Sequence, residues 1–324
     1  MIRKMWLYLF TLGAFVFSSG FFIYELVNNR NVTTVRETEW AIGIYKGDTP
    51  LSLSSAEGVV NPVLRASDVK DVKATFVADP FLIKKDSMFY MFFEVFNDLT
   101  RQGDIGLAIS RDCKKWTYSK IVLDEVYHIS YPYVFEWRDG MYMIPESAQA
   151  GELKLYKAGN FPEEWQYVKT LLTGEFGDHS LFQYQDKWWL FAGADPYNNS
   201  SLRLFYSDSL MGSWVEHPKS PIIHKNANKA RPGGRVIVYE DRVYRFAQDC
   251  DPTYGAELNA FEVTALTDST YEERSYDSNP ILKAHGKGWA RHGMHQLDLF
   301  QLSDGKWIGC VDGYKKSFAV KVEY

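Results

Sequence analysis

One phrase recurs five times along this chain: a short polar or Pro/Gly-containing lead-in, an apolar strand, a tight turn and an aromatic strand. The copies open at Asp79-Pro80 (FLIKKDSMFYMFFE), Tyr131-Pro132 (YVFEWRDGMYMIPE), His179 (SLFQYQDKWWLFAG), Gly233-Gly234 (RVIVYEDRVYRFAQD) and His295 (QLDLFQLSDGKWIGCVDG). Each turn carries its own signal, centred on Asp86, Asp139-Gly140, Asp186, Asp241 or Asp304-Gly305, between runs rich in aromatic and β-branched residues. Five hairpins are expected.

Weaker strand pairs follow most of the hairpins: GDIGLAIS with WTYSKIVL, ELKLYKA with WQYVKTLL, SLRLFYS with WVEHPKSPII, and AELNAFEVT with YEERSYDSNPIL. Four strands at a spacing of roughly 45–60 residues suit a propeller blade, which cannot bury its faces alone and must stack on its neighbours. The expected fold class is all-β, a five-bladed β-propeller over residues 40–324. The fifth unit lacks outer strands in sequence order. The N-terminal EWAIGIYKG and the C-terminal SFAVKVEY are the candidates to complete it, closing the ring from both chain ends and removing exposed sheet edges.

Residues 5–27 (MWLYLFTLGAFVFSSGFFIYELV) are apolar over about the 20 residues that span a bilayer. They lack the shorter apolar stretch and small-residue cleavage site of a secretory signal. Arg3 and Lys4 precede them, which sets the N-terminus on the cytoplasmic side. The reading is a single transmembrane helix acting as a signal anchor within residues 1–27, a short stalk at 28–39, and a propeller that is extracytoplasmic or lumenal. Three cysteines, an odd number, give no disulfide framework, and Cys310 falls in an inner hairpin where burial is expected. A net charge of −5 with no sustained basic run gives no support to nucleic-acid binding, which needs a basic stripe to release counterions.

In a propeller the inner strands line the central channel, so the residues opening each repeat face the axis at one mouth. In blade order these are Asp79; His128 and Tyr131; Asp178 and His179; Arg231 and Arg235; His292 and His295. The inner hairpins end on a second polar set: Glu94, Glu146, Gln248 with Asp249, and Asp312. Carboxylates, histidines and arginines amid many Trp and Tyr suit a sugar, whose hydroxyls want polar partners and whose faces want rings. Structural roles compete with this at several positions. Asp79-Pro80 can be a strand-entry turn, Asp178 and His179 can cap a strand, and His295 can be a satisfied core histidine. Glu94 and Glu146 each follow a dense apolar strand, where a carboxylate is costly unless partnered. Arg231 and Arg235 flank Pro-Gly-Gly, and their guanidinium forks suit a carboxylate or phosphate of a ligand. They can equally neutralise Asp79, Glu94 or Asp249 across the channel. There is no HxxxH or CxxC spacing, no phosphate loop and no nucleophile elbow, so no metal or other cofactor is expected.

The run FVADPFLI…YMFFE, SYPYVFEW, DGMYMIPES, DHSLF…WWLFAG, ARPGGR…RFAQD resembles the five-bladed domain at the N-terminus of plant glucosamine inositolphosphorylceramide transferases and related bacterial proteins, over about Trp40 to Tyr324. More distantly it is similar to five-bladed glycoside hydrolases of families 43 and 32. That resemblance implies an Asp in the first Asp-Pro as base or nucleophile and a later Glu as acid. Asp79 matches the first; Glu146 is the candidate proton donor, with Asp178 a further acidic residue. Tyr131-Pro132 departs from the hydrolase pattern, which commonly repeats Asp-Pro, and so do the fourth-blade arginines. In the plant proteins the resemblance implies that sugar transfer belongs to a separate C-terminal domain, which is not in this sequence.

The first hypothesis is an enzyme that cleaves or transfers a glycosyl group of a glycan, glycolipid or activated sugar, with Asp79 and Glu146 as the working carboxyls. In it, Glu94, His128, Tyr131, His179, Arg231, Arg235, Gln248, Asp249 and His295 contact substrate. The second is a membrane-tethered binding module that presents an anionic glycan or glycolipid headgroup to a partner glycosyltransferase. The third is a structural propeller with a satisfied polar axis. Carboxyls of Asp79 and Glu146 facing one cavity roughly 5–10 Å apart favour the enzyme; either one held in an arginine pair favours the binding module.

Overall fold

The hairpin turns are where sequence and backbone meet most directly. Gln185 and Asp186 adopt φ of 51° and 60°, and Glu240 and Asp241 adopt 49° and 59°. Positive φ at both central residues is the signature of a type I′ turn, whose twist matches that of the strands it joins. The computed structural model describes the backbone of residues 32–322 and the side chains of residues 38–317. The transmembrane segment expected over residues 5–27 lies outside the described residues. Among those that are described, no helix is long and apolar enough to cross a membrane.

The strands run β1 (Val32–Thr49), β2 (Ser52–Ser55), β3 (Ala74–Lys85), β4 (Met88–Asn97), β5 (Gln102–Ser110), β6 (Thr117–Leu123), β7 (Ser130–Trp137), β8 (Gly140–Glu146), β9 (Glu152–Asn160) and β10 (Glu164–Thr173). They continue as β11 (His179–Tyr184), β12 (Lys187–Gly193), β13 (Leu202–Ser207), β14 (Val215–Glu216), β15 (Ile237–Tyr239), β16 (Arg242–Asp249), β17 (Glu257–Leu266), β18 (Tyr271–Ser275), β19 (Leu282–Lys283), β20 (Leu297–Gln301) and β21 (Trp307–Val322). Among the described residues these make five antiparallel sheets. Four have the order β3-β4-β5-β6, β7-β8-β9-β10, β11-β12-β13-β14 and β15-β16-β17-β18, with β19 added beside β17. The fifth has the order β2-β1-β21-β20, so an N-terminal strand pairs with the C-terminal hairpin to finish the ring.

That closure differs in one respect from expectation. EWAIGIYKG does supply the third strand of the fifth blade, within β1, but the C-terminal segment prolongs β21 instead of forming an outer strand. The outermost place goes to β2, because a tight turn after Thr49 returns the chain directly beside β1, with Thr49 opposite Ser52. β1 also begins at Val32, inside the stretch read as a stalk. By contacts the chain forms two units, residues 39–315 and residues 1–38 with 316–324. The first is the propeller; in the second, the described residues are the outlying ends of β1 and β21.

The core lies between blades. Phe81 and Phe92 of the first blade pack with Tyr131, Tyr133 and Val134 of the second, while Ile42 and Ile44 of the fifth pack with Met91 and Phe93 of the first. Burying each such side chain contributes about 1.5–3 kcal/mol, so stacking of the blades dominates stability. Cys113 and Cys310 are buried free thiols, and Cys250 is also free.

Candidate functional site

Two of the repeated lead-ins share one backbone device. The β3–β4 register slips between Ala78 and Phe81, and the β7–β8 register slips between Ser130 and Tyr133. Asp79-Pro80 and Tyr131-Pro132 are therefore the extra residues of β-bulges, with Asp79 at φ 53° and Tyr131 at φ 46°. A bulge re-aims the side chain it carries, and both of these turn inward and are buried.

Asp79 meets the end of the ring. Its backbone N–H donates to Asp312 Oδ2 at 3.0 Å. Asp312 Oδ1 accepts from His295 Nδ1 at 2.8 Å and from the backbone N–H groups of His295 and Gln296 at 3.2 and 3.1 Å. Through Asp312, the last blade is tied to the first. His295 turns its Nε2 towards Asp79 Oδ1, 3.7 Å away, and its ring stacks on Trp40 at 4.1 Å with the edge of Tyr254 at 5.3 Å. Burial alone would lower the His295 pKa, but the bonded Asp312 and nearby Asp79 raise it. Burial pushes the Asp79 carboxyl up to about 7, against the pull of His295.

The second focus is Arg231. Its Nε and Nη2 form a fork on Asp178, at 2.7 Å to Oδ2 and 3.0 Å to Oδ1. Nη2 also reaches Glu146 Oε2 at 3.0 Å, and Nη1 donates to Asn199 Oδ1 at 2.8 Å and to the Pro196 carbonyl at 3.3 Å. Gln248 Nε2 adds a hydrogen bond to Asp178 and one to the Pro232 carbonyl at 2.7 Å. One guanidinium thus serves two buried carboxyls. Asp178 pays for its burial with the Arg231 fork and ends below the usual carboxylate range. Burial drives Glu146 well above that range, opposed by Arg231 and reinforced by Asp178, to which it hydrogen-bonds. Of the two carboxyls, Glu146 is therefore the one that holds its proton to higher pH.

Glu94 is a further buried acid. Burial raises its pKa, and Asp79, Glu146, Asp178 and Asp312 add to the rise. His128 Nε2 lies 3.6 Å from Glu94 Oε1, while His128 Nδ1 accepts the Gly103 N–H at 2.9 Å. An acceptor Nδ1 places the ring hydrogen on Nε2, facing Glu94. Burial and Arg231 lower the His128 pKa, which keeps the ring neutral. Only glycine fits at 103: a Cβ would stand 2.4 Å from the Ile129 carbonyl oxygen and 2.9 Å from both Glu94 Oε1 and His128 Cε1.

Glu146, His128, Arg231, Gln149, Asn199, Tyr197 and Tyr254 line a cavity of about 490 Å³ at this mouth. The other predicted residues lie elsewhere. Arg235 is bonded to Asp298 at 2.8 and 3.2 Å and to the Val134 carbonyl at 2.9 Å, so its fork closes a structural pair deeper in the channel. Arg231 likewise faces carboxylates, but they are Asp178 and Glu146 and not the Asp79, Glu94 or Asp249 named in the structural reading of the two arginines. Gly234, at φ 141°, approaches the Leu297 backbone of the next blade, whose carbonyl oxygen lies 1.9 Å from where a Cβ would stand. The Tyr131 hydroxyl accepts the Gly234 N–H at 2.6 Å and is fully buried. His179 packs against Tyr131 and Tyr133, and burial drops its pKa to about 4. Asp249, the half-buried last residue of β16, accepts from Asn228 at 2.7 Å.

Sequence reasoning passed over Trp40, Tyr254, Gln149 and Asn199, which come from loops and from the closing strand and carry no repeat signal. Asp312 was visible as the fifth hairpin's terminal acid without its role. Among the described residues, Asp79, His295 and Asp312 are the group whose donor atoms converge within 4.8 Å, close enough for an ion. Asp312 already accepts four hydrogen bonds from this chain, so its oxygens are satisfied without an ion.

The family model described as glucosamine inositolphosphorylceramide transferase 1, N-terminal, matches residues 33–314. The chain is 38% identical over 313 residues to glucosamine inositolphosphorylceramide transferase 1 of Oryza sativa subsp. japonica, covering 90% of this chain and 42% of that protein. To the Arabidopsis thaliana protein of the same name it is 36% identical, covering 86% and 39%. It thus spans less than half the length of these relatives. Among solved structures, the catalytic domain of a GH62 α-L-arabinofuranosidase from Coprinopsis cinerea superposes with a TM-score of 0.55 at 11% identity, covering 85% of this chain and 97% of that one. A Podospora anserina α-L-arabinofuranosidase gives 0.53 at 12% identity, covering 86% and 97%. At such identities the likeness is one of fold.

Proposed function

This chain belongs to the family of the glucosamine inositolphosphorylceramide transferase 1 N-terminal domain, and on that premise we propose that its propeller is a carbohydrate-active site acting on a glycosidic or sugar-phosphate bond of a glycolipid headgroup. The observation that supports this reading best is the carboxyl cluster. Asp79, Glu94, Glu146 and Asp178 come from three blades to one mouth, all buried, and Glu146 forms part of the wall of an open cavity. Glu146, whose carboxyl burial raises well above the usual range, is the donor to the leaving oxygen. Asp79, with a pKa near the working pH, is the base or nucleophile. His295 and Asp312 position Asp79, and Asp178 holds Arg231 against Glu146.

The cavity suits hydroxyls better than a phosphate. Every donor nitrogen of Arg231 is engaged by protein acceptors, and the surrounding carboxyls repel an anion. A sugar ring finds acceptors in Glu146, Asn199 and Gln149 and a half-exposed ring in Tyr254. We place the propeller outside the cytoplasm, tethered through residues 5–27. A second reading, a binding module for a partner glycosyltransferase, is favoured by one observation: Arg231 holds Glu146 in an ion pair.

The test is to incubate the protein with glycans, sugar phosphates, nucleotide sugars and inositol-phosphate headgroup glycans, and to compare wild type with Asp79→Asn and Glu146→Gln. The enzyme reading expects turnover lost in both variants with binding retained. Binding without turnover in the wild type, unaffected by either substitution, overturns it in favour of the module.

A further inference from the structure

One stretch of this acidic chain is basic. The net charge is −5, yet residues 278–297 hold Lys283, Lys287 and Arg291 and neither Asp nor Glu. The stretch crosses from the fourth blade to the fifth: Leu282 and Lys283, as β19, pair with β17, and β20 begins at Leu297. Its base is fixed. The His285 N–H donates to the Ala290 carbonyl at 2.8 Å, which closes residues 285–290 into a loop, and His285 Nε2 bonds to the Tyr45 hydroxyl at 2.7 Å. The Trp289 ring fills the space beside Gly43 and Gly313, where a Cβ would stand 2.7 and 2.9 Å from ring carbons. The loop thus rests on β1 and β21 at the flank of the ring, and it shares no residue with the wall of the Glu146 cavity.

What rises from that base is open. Gly286 and Gly288 have φ of 71° and 69°, with Lys287 between them outside the left-handed region. Alternation of this kind aims successive N–H groups at a common point, the concavity in which a backbone holds an anion. A Cβ at either glycine would meet no atom within 4 Å, so that surface is unobstructed. Among the described residues, no acceptor bonds the N–H groups of residues 286–289, and neither Lys287 nor Arg291 has an ion-pair partner. Lys283 stands opposite Glu257 in the β17–β19 pair, and the His285 ring is engaged by Tyr45. Lys287 and Arg291, both exposed, are therefore the cations this loop offers to a ligand.

We propose that the loop 285–291 binds a phosphate group, held by the backbone N–H groups at its tip and by the side chains of Lys287 and Arg291. A phosphate presents oxygens to several donors at once, which suits N–H groups and cations converging from one side. Two cations are too few for a nucleic acid, whose binding draws on many phosphate contacts. The strand β20 follows the loop, not a helix, so the field comes from these groups and not from a helix terminus. The site stands apart from the cavity and is independent of what the cavity takes. Free phosphate and the phosphate of a lipid headgroup share the chemistry it recognises.

The test uses the full chain in detergent micelles with isotopically labelled glycine amides, observed by NMR. It is titrated with inorganic phosphate, with dihexanoyl phosphatidic acid and with dihexanoyl phosphatidylcholine, at an ionic strength held constant by sodium chloride. The signals of Gly286 and Gly288 are assigned from Gly286→Asn and Gly288→Asn, since Asn tolerates the left-handed region. The expected result is a saturable downfield shift of both signals, with binding about tenfold weaker in the double variant Lys287→Gln, Arg291→Gln. The other glycine signals report that the variant keeps its fold. A response to inorganic phosphate and phosphatidic acid alike supports a phosphate site open to either source, and a response to phosphatidic acid alone supports a lipid headgroup. No saturable shift at about 10 mM of either phosphate overturns the proposal. So do unchanged affinity in the double variant, the same shifts with sodium chloride alone, and an equal response to phosphatidylcholine, which would report contact with acyl chains.

Discussion

Replacing Asp79 by Asn isolates the cost of holding a carboxyl in the closed ring. The side chain is nearly inaccessible, and burial lifts its pKa from 3.8 to about 7. In the folded protein Asp79 keeps a proton that the unfolded chain gives up above pH 4. Stability from this group is therefore fully present below pH 4 and is lost as pH rises through 7. A shift of about three units at roughly 1.4 kcal/mol each amounts to about 4 kcal/mol. Asn has nearly the same shape and tolerates the positive φ at this position, so the substitution removes the titration and keeps the bulge. Measured by urea unfolding of wild type and Asp79→Asn from pH 4 to 9, the variant gains on the wild type by about 2–4 kcal/mol between pH 4 and 8. Comparing the two proteins cancels much of the similar contribution from Glu94 and Glu146. A difference that stays constant over this range, or falls with rising pH, refutes the assignment of a raised pKa to Asp79.

Arg231→Gln leaves Asp178 ionised and unpaired, and costs about 3–5 kcal/mol at pH 7 by the same unfolding measurement; the loss shrinks towards pH 4, where Asp178 of the variant takes up a proton. Arg235→Met strips Asp298 of its partner and destabilises by a similar amount, about 3–5 kcal/mol, while calorimetric affinity for a bound sugar stays at the wild-type value because Arg235 is outside the cavity. Gly103→Ala drives a methyl into the Ile129 carbonyl and displaces Glu94 and His128. Thermal denaturation should show a loss of about 1–3 kcal/mol, accompanied by weaker ligand binding.

How much of this was legible in the sequence depends on whether the information was local. The hairpins were, because a turn such as Gln185-Asp186 and the runs beside it act over a few residues. The mouth residues of the first three blades were too, since Asp79, Glu94, Glu146 and Asp178 occupy equivalent ends of a repeated phrase. What those residues touch was not legible. Asp312 meets Asp79 across 233 positions and Arg231 meets Glu146 across 85; pairings over such separations depend on how the ring closes, which no local pattern encodes. The same holds for Arg235. It shares the Arg-Pro-Gly-Gly-Arg motif with Arg231, yet it turns to Asp298, whose position is set by the fifth blade. Trp40 escaped notice because its importance arises only when an N-terminal strand enters that blade. The outer place of β2 was missed for the opposite reason: a short local return after Thr49 was overlooked in favour of a distant C-terminal segment.

The central claim is that the mouth holds a protonated Glu146 beside an ionised Asp178, both bonded to one arginine. Infrared difference spectroscopy of wild type against Glu146→Gln at pH 7, with carboxyl carbons isotopically labelled, reads this directly. The account predicts a protonated-carboxyl band that the substitution removes, with the carboxylate bands unchanged. Loss of a carboxylate band instead, with no protonated carboxyl assigned to Glu146, contradicts it: the residue would then be the fixed counter-ion of Arg231 and no proton donor.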